Sequence, residues 1–341
     1  MKLLYLGNRL SKHGFNKTTI ETLGLHLEQE GFGVYYASNK KSFPLRMLDM
    51  MRSVIIYRKQ VSYILIDTYS TKAFWYAFVC SQLARVLNIK YIPILHGGNL
   101  PNRLKNNPKL CQMVFANAHK NVAPSGYLKQ AFENAGFTNV IHIPNSIEID
   151  KYELKTRVEL APKLLWVRAF ASIYNPEMAV KVLQQLLEKH PSASLTMVGP
   201  DKDGSLKTTK DFADSIGVAV NFTGQLAKED WWKLASEHDI FINTTHFDNT
   251  PISVMEAMAL GLPVVSTNVG GIPYLLTDKE NALLVNDNDV VAMITAICSL
   301  LDSQEKTKVL ALNARNFIEK MDWNVVKEDW KQVLRCVGDE E

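Results

Sequence analysis

The residues best suited to chemistry lie in the stretch DNTPISVMEAMALGLPVVSTNVGGIP, which begins at Asp248. Pro251 is well placed in the first turn of a helix, with Thr250 as its N-cap. A helix start presents free backbone N–H groups and the positive end of the helix dipole. The N–H groups of Ile252 and Ser253 therefore predict a binding site for an anion such as phosphate. Asp248 alone is typical of a turn residue in a loop before a helix.

The helical run from Ile252 to Leu260 is apolar except for a single charge, Glu256. A charge among apolar neighbours is costly, so Glu256 must either be paired internally or face a ligand rich in hydroxyl groups. Gly261 follows as a plausible residue just past the helix end, and Gly270 with Gly271 allows a tight turn or a close backbone approach to a ligand.

Strand-length apolar runs alternate with segments of helical period, which predicts βα units, buried parallel sheets and an α/β fold. Open sheets of this kind bind ligands beyond the C-terminal ends of their strands, so residues just after each strand are the candidate site residues. The predicted strands are 2–7, 33–38, 63–68, 91–96, 121–125, 140–145, 163–170, 194–200, 220–224, 239–245, 263–267 and 282–285.

A chain of 341 residues exceeds the usual size of one hydrophobic core, which favours two doubly wound domains with a cleft between them. Strand patterning lapses in the polar stretch 148–163, where we place the boundary. The predicted domains are 1–155 and 156–318, and residues 319–341 are predicted to form a C-terminal helix that returns to the first domain.

The segment from Asp248 to Pro273 closely resembles the signature of the family 4 glycosyltransferases, which are retaining enzymes of the GT-B fold. The resemblance implies two Rossmann-like, doubly wound, parallel-sheet domains that face an interdomain cleft. It implies that Glu256 hydrogen-bonds the donor ribose and that Asp248 lies by the donor sugar hydroxyls. It also implies that the helix start from Thr250 to Ser253, which includes Pro251 and Ile252, would hold the distal phosphate through its free amides.

The resemblance extends over nearly the whole chain through PSGYLKQAF (124–132) and IPNSIEIDKY (143–152). It places Arg168 as the diphosphate-binding arginine, whose planar fork suits phosphate oxygens. The family usually has a lysine five or six residues later, where this chain has Ile173 and Tyr174.

His96 precedes Gly-Gly, and this local sequence alone is typical of a loop residue. The resemblance, in contrast, implies a cleft histidine near the donor sugar. The further predicted contacts are Gly14, Gly199 and Thr223 for the donor, and Asn99, Arg103 and Lys105 for the acceptor.

These features predict a retaining glycosyltransferase that moves a sugar from a UDP- or GDP-sugar to an acceptor hydroxyl, in polysaccharide or lipid-linked glycan biosynthesis. The resemblance implies that no metal and no covalent enzyme nucleophile are needed. Two alternatives stay open: a GT-B sugar phosphorylase or epimerase, and a non-catalytic subunit that binds a sugar nucleotide.

Composition and N-terminal sequence predict a cytoplasmic globular protein. The chain has 47% apolar and 21% charged residues. MKLLYLGNRL reaches polar residues too early for a signal peptide. The four cysteines have no CxxC pair and are typical of buried or free thiols in a reducing compartment.

The net charge of +3 divides unevenly, into +10 over residues 1–150 and −7 over the remainder. Much of the positive charge lies in SNKKSFPLRMLDMMRSVIIYRKQ (38–60), mixed with large apolar residues. This segment is either a helix with a solvated basic face or a peripheral contact with an anionic membrane. Nucleic acid is not favoured, because the interleaved aromatic residues of a recognised module are missing.

Overall fold

The computed structural model describes residues 1–14, 17–157 and 159–334, which form two compact units. The first unit comprises Met1–Asn145 and the segment that begins at Trp323, and the second comprises Ser146–Asp322. The division falls just before the polar stretch in which we placed the boundary. The end of the predicted C-terminal segment, with Cys336, lies outside the described residues. No helix in the described ranges is long and apolar enough to cross a membrane.

The first unit contains a six-stranded parallel sheet with the strand order β2-β1-β3-β4-β5-β6. Its strands are β1 (Lys2–Leu6), β2 (Gly33–Ala37), β3 (Tyr63–Tyr69), β4 (Lys90–His96), β5 (Asn121–Ala123) and β6 (Val140–His142). Its helices are α1 (Thr19–Gln29), α2 (Phe43–Tyr57), α3 (Phe74–Val86), α4 (Leu100–Asn106), α5 (Pro108–Phe115) and α6 (Gly126–Asn134), together with the C-terminal helix α13 (Trp323–Leu334).

The second unit contains another six-stranded parallel sheet, with the order β12-β11-β10-β7-β8-β9. Its strands are β7 (Lys163–Val167), β8 (Ser194–Val198), β9 (Asn221–Gly224), β10 (Ile240–Asn243), β11 (Val264–Thr267) and β12 (Leu283–Val285). Its helices are α7 (Pro176–Lys189), α8 (Ser205–Ser215), α9 (Lys228–Ala235), α10 (Ile252–Ala259), α11 (Val290–Asp302) and α12 (Gln304–Glu319).

Each sheet separates two hydrophobic cores, because successive strand residues point to opposite faces. In β7, Leu165 packs into one core, whereas Leu164 and Trp166 pack into the other. The first sheet is built in the same way, and one of its faces is covered by α1 and α13 through residues such as Trp323 and Trp330. This burial on both faces explains why the strands read as nearly continuous apolar runs.

All of the predicted strand runs coincide with strands of the two sheets, so the α/β doubly wound fold is confirmed. Most observed strands end earlier than predicted, as in β10, which stops at Asn243. The strand order reverses between β1 and β3, and between β7 and β10. Ligands of doubly wound sheets bind at such reversals, beyond the carboxyl ends of the strands.

Candidate active site

Helix α10 begins directly after the loop that follows β10. Its N-cap is Pro251, in an extended conformation with ψ of 111°, and not Thr250 as predicted. The extended backbone of Pro251 delays the helix by one residue, and the Thr250 side chain makes no capping hydrogen bond. Within the described residues, the backbone N–H groups of Ile252 and Ser253 have no hydrogen-bond acceptor. The predicted free amides are therefore present.

Two side chains at this helix start also lack partners. The hydroxyl oxygens of Thr250 and Ser253 are buried and form no hydrogen bond with any described residue. Buried polar atoms are normally paired, because an unpaired one loses its hydration without compensation. Two free amides and two unpaired hydroxyls at the positive end of a helix form a suitable cradle for a phosphate group.

Glu256 lies inside α10 and is only 3% exposed. Its Oε1 accepts hydrogen bonds from the Tyr152 hydroxyl at 2.9 Å and from Lys228 Nζ at 2.7 Å. Burial, and secondarily the Glu256 charge, raises the pKa of Tyr152 well above its ordinary value, so this hydroxyl stays a donor. The Oε2 atom accepts no hydrogen bond from a described residue, which leaves it available to a ligand hydroxyl. Both alternatives for Glu256 are thus compatible with its surroundings.

Arg168 and Asp248 meet at the strand reversal of the second sheet. Arg168 directly follows β7, and its Nη2 is ion-paired with Asp248 Oδ2. The other carboxylate oxygen accepts the backbone N–H of Asn249 at 2.7 Å. Burial lowers the pKa of the guanidinium, whereas Tyr174 opposes that effect. The Nε–H of Arg168 is buried with no partner among the described residues, so it is free to donate to a phosphate oxygen.

Where the family usually has a lysine, this chain has Tyr174, which supplies no charge and contacts Arg168 through its aromatic ring. Tyr174 places its ring 4.4 Å from the guanidinium carbon of Arg168, a cation–π arrangement. The neighbouring Ile173 is exposed and contributes its carbonyl, which accepts the backbone N–H of His246 at 2.9 Å. The cation nearest to Glu256 comes instead from Lys228, at the start of α9, a residue that sequence reasoning missed.

Three glycines allow loops to pack closely around these residues. A Cβ built on Gly199 lies 1.7 Å from the carbonyl oxygen of Arg168, and one on Gly271 lies 1.9 Å from that of Asn249. Gly270 has φ of +55°. The close backbone approach predicted for the Gly-Gly pair is therefore to the loop that carries Asp248.

The other predicted donor contact of the second unit and the predicted helix end can also be placed. Thr223 is half-buried in β9, and its hydroxyl donates to the Gly224 carbonyl. Gly261 follows α10 with φ of +73°, and the N–H groups of Gly261 and Leu262 close the helix on Met258 and Ala257. The predicted helix end is thus confirmed.

In the first unit, His96 ends β4 and pairs with Asp67 of β3. Its Nε2 donates to Asp67 Oδ1 at 2.8 Å, and the Tyr5 hydroxyl donates to the same oxygen at 3.0 Å. Because a carboxylate only accepts, the pairing places a hydrogen on Nε2 and leaves Nδ1 as the second polar atom of the ring. Asp67 Oδ2 is buried without a partner in the described part of the chain. A Cβ on Gly7 would approach Oδ2 to 2.4 Å.

The weaker acceptor candidates have mainly local roles. Arg103 donates from Nε and Nη2 to the Ser70 carbonyl, at 3.0 and 2.7 Å, and lies over the Phe74 ring. Asn99 occupies the N-cap position of α4 without a side-chain capping hydrogen bond, and Lys105 is exposed on that helix.

Gly14 ends a short 3-10 turn with φ of +83° and has open space around its Cα, next to residues outside the described ranges. In the described residues, no group of three or more His, Cys, Asp or Glu side chains could hold a metal ion.

Comparison with known proteins gives a consistent picture. Residues 150–317 match the family described as "Glycosyl transferases group 1". The sulfoquinovosyl transferase SQD2 of Arabidopsis thaliana is 29% identical over 150 residues, which are 43% of this chain and 29% of that protein. An uncharacterized glycosyltransferase of Haemophilus influenzae is 27% identical over 205 residues, which are 58% of this chain and 55% of that protein. The chain therefore spans about a third to a half of the length of such relatives.

Solved structures cover almost the entire chain. Alr3699/HepE of Anabaena in complex with UDP has a TM-score of 0.78 at 19% identity and covers 98% of this chain and 99% of its own. The sucrose-phosphate synthase of Thermosynechococcus elongatus has a TM-score of 0.79 at 16% identity, with 97% and 98% covered. These similarities establish the GT-B fold. The family match over residues 150–317, most of the second unit, supports a glycosyltransferase enzyme.

Proposed function

We propose that the chain is a retaining family 4 glycosyltransferase that transfers a sugar from a UDP- or GDP-sugar to an acceptor hydroxyl, in polysaccharide or lipid-linked glycan biosynthesis. The observation that carries the proposal is the start of α10, with the free amides of Ile252 and Ser253 and the unpaired hydroxyls beside them. Complexes with UDP of two proteins, Alr3699/HepE and TarM, occur among the structures of similar fold.

Each candidate site residue of the second unit is assigned a role from its chemistry. The helix start binds the distal phosphate, and Arg168 donates to the diphosphate through its unpaired Nε–H. Glu256 accepts ribose hydroxyls through Oε2, and Tyr152 and Lys228 hold that carboxylate in place from Oε1. The departing diphosphate gains negative charge as the glycosidic bond breaks. The helix dipole and the guanidinium stabilise that charge without a metal ion.

Retention follows if the acceptor hydroxyl attacks from the face that the diphosphate leaves. We assign His96, held by Asp67, as a catalytic residue that contacts the donor sugar. We further propose a cytoplasmic protein that contacts an anionic membrane peripherally, where a lipid-linked acceptor is available.

The donor is tested by thermal shift with UDP-, GDP- and ADP-sugars. A ligand present at 100 times its dissociation constant adds about 2.7 kcal/mol to the free energy of unfolding. We expect one base to raise Tm, and the Arg168→Gln variant to lose that rise. No rise with any sugar nucleotide would contradict the proposal.

The reaction is tested by product analysis with the donor so identified. Transfer that requires an acceptor hydroxyl and yields a product of unchanged anomeric configuration supports the retaining transferase. Conversion of the donor without acceptor, or sugar phosphate formation, would identify an epimerase or a phosphorylase instead.

A non-catalytic sugar-nucleotide-binding subunit is a second candidate, favoured by Tyr174 in the place of the usual lysine. Donor binding without transfer or hydrolysis across an acceptor panel would support it.

A further inference from the structure

Helix α2 is apolar on two opposite faces. Its inner face packs against the first sheet through the fully buried Met50 and Val54. Its outer face exposes Leu45 by 57%, Leu48 by 61% and Ile56 by 47%. A surface helix normally presents polar residues to water, so these large aliphatic side chains are an exception that needs a partner.

One cation, Arg52, lies among the aliphatic residues on the same face, and Lys41 and Lys59 flank the two ends of the helix. Residues three or four positions apart lie on one side of a helix, and the outer face follows that spacing. We name this surface the outer α2 stripe, and it consists of Leu45, Leu48, Arg52, Ile55 and Ile56, together with Lys41 just before the helix and Lys59 just after it. None of its three cations forms an ion pair with a described residue. Their charges are therefore available to an anionic partner.

The other charged residues of α2 are engaged elsewhere. Arg46 donates to Asn8 Oδ1 at 2.6 Å and to the Lys41 carbonyl at 2.9 Å, which anchors the start of the helix. Asp49 accepts a hydrogen bond from the Ser38 hydroxyl and lies off the stripe. The stripe thus carries positive charge without a carboxylate of its own helix.

We propose that the outer α2 stripe docks on the surface of an anionic lipid membrane. Exposed aliphatic side chains enter the boundary between headgroups and acyl chains, while lysine and arginine contact lipid phosphates. Charge complementarity favours a lipid surface, since residues 1–150, the part of the chain that contains the stripe, carry a net charge of +10. The inference deepens the proposed function by naming the surface that would bring the chain to a lipid-linked acceptor.

The experiment is cosedimentation of the full chain with vesicles of phosphatidylcholine containing 30% phosphatidylglycerol, compared with pure phosphatidylcholine. We expect binding to the anionic vesicles at low salt that falls steeply in 0.5 M NaCl. The Leu48→Gln/Arg52→Gln variant is expected to bind about tenfold more weakly, since it removes one aliphatic and one cationic contact. The matched control is Val86→Gln/Lys109→Gln, which removes one exposed aliphatic and one exposed cationic residue from other helices and should bind as the parent does.

Three results would overturn the inference. The first is that the parent chain does not bind anionic vesicles at low salt. The second is that the control variant loses as much binding as the stripe variant. The third is that the parent chain self-associates through the stripe, so that the stripe variant is monomeric, and does not bind vesicles. Circular dichroism and Tm verify that each variant is folded. Vesicle binding needs no sugar nucleotide, and the stripe variant should keep the thermal shift with the donor, so failure of docking and failure of the donor site are separate outcomes.

Discussion

The two carboxylates of the proposed donor site differ in how many of their oxygens are already bonded. Both oxygens of Asp248 are engaged, one by the Arg168 guanidinium and the other by the N–H of Asn249. Glu256 receives its two donors on Oε1 alone. A ligand hydroxyl therefore finds an unused acceptor at Glu256, whereas a diphosphate has to share Arg168 with Asp248.

We accordingly expect Glu256→Gln to weaken UDP binding by about tenfold or more, the range for losing a hydrogen bond to a charged group. Asp248→Asn should change UDP affinity less, because an amide at this position leaves the guanidinium free for phosphate. Isothermal titration with UDP measures both, and the exposed Glu188→Gln on α7 is the control. Equal losses for the two site variants would contradict this division of roles.

At the scale of elements, the site depends on close backbone contacts made by the loops that follow the neighbouring strands β10 and β7. The loop after β10 passes so near Gly271 that the Gly271 N–H donates to the Asp248 carbonyl at 2.7 Å. The chain after β7 passes equally near Gly199. These contacts set the position of Asp248 relative to Arg168.

Gly271→Ala should separate these loops, because the added Cβ would lie 1.9 Å from the Asn249 carbonyl oxygen. Overpacking of this kind costs about 1–3 kcal/mol, so we expect a lower Tm together with weaker UDP binding. Gly33→Ala is the matched control, since its Cβ would meet chiefly the flexible Lys2 side chain, at 3.3 Å. An unchanged UDP affinity in Gly271→Ala would show that the loop contact does not position the site.

At the scale of the whole molecule, three histidines connect stability to pH. Burial lowers the pKa of His119 and His142 in the first unit and of His238 in the second, and lysine charges add to the effect. His238 donates from Nδ1 to the Leu234 carbonyl and accepts the Thr196 hydroxyl on Nε2, an arrangement that suits the neutral ring.

A lowered pKa in the folded state means that the unfolded chain binds protons first as pH falls. The free energy of unfolding should therefore decrease from pH 7.5 to 5.5, through the ordinary histidine pKa of about 6.5. Urea unfolding at several pH values measures the slope. We expect His238→Gln to flatten it. A steeper slope in His238→Gln would refute the assignment.

Local sequence determined the elements of this protein and the segments that carry its candidate site. Side-chain burial and backbone propensity act between near neighbours in the sequence. They determine the strand runs, the end of α10 at Gly261 and the free amides at the start of that helix. The resemblance to family 4 glycosyltransferases added roles for residues in those same segments.

Tertiary structure alone decided which side chains meet. Lys228 and Tyr152 join Glu256 across 28 and 104 positions, and Asp67 joins His96 across 29, since the strand order brings distant strand ends together. The N-cap at Pro251 and the stacking of Tyr174 on Arg168 also escaped the sequence, because both depend on where a whole loop lies. Pairing of charges over such separations is a property of the packed fold, and no local pattern encodes it.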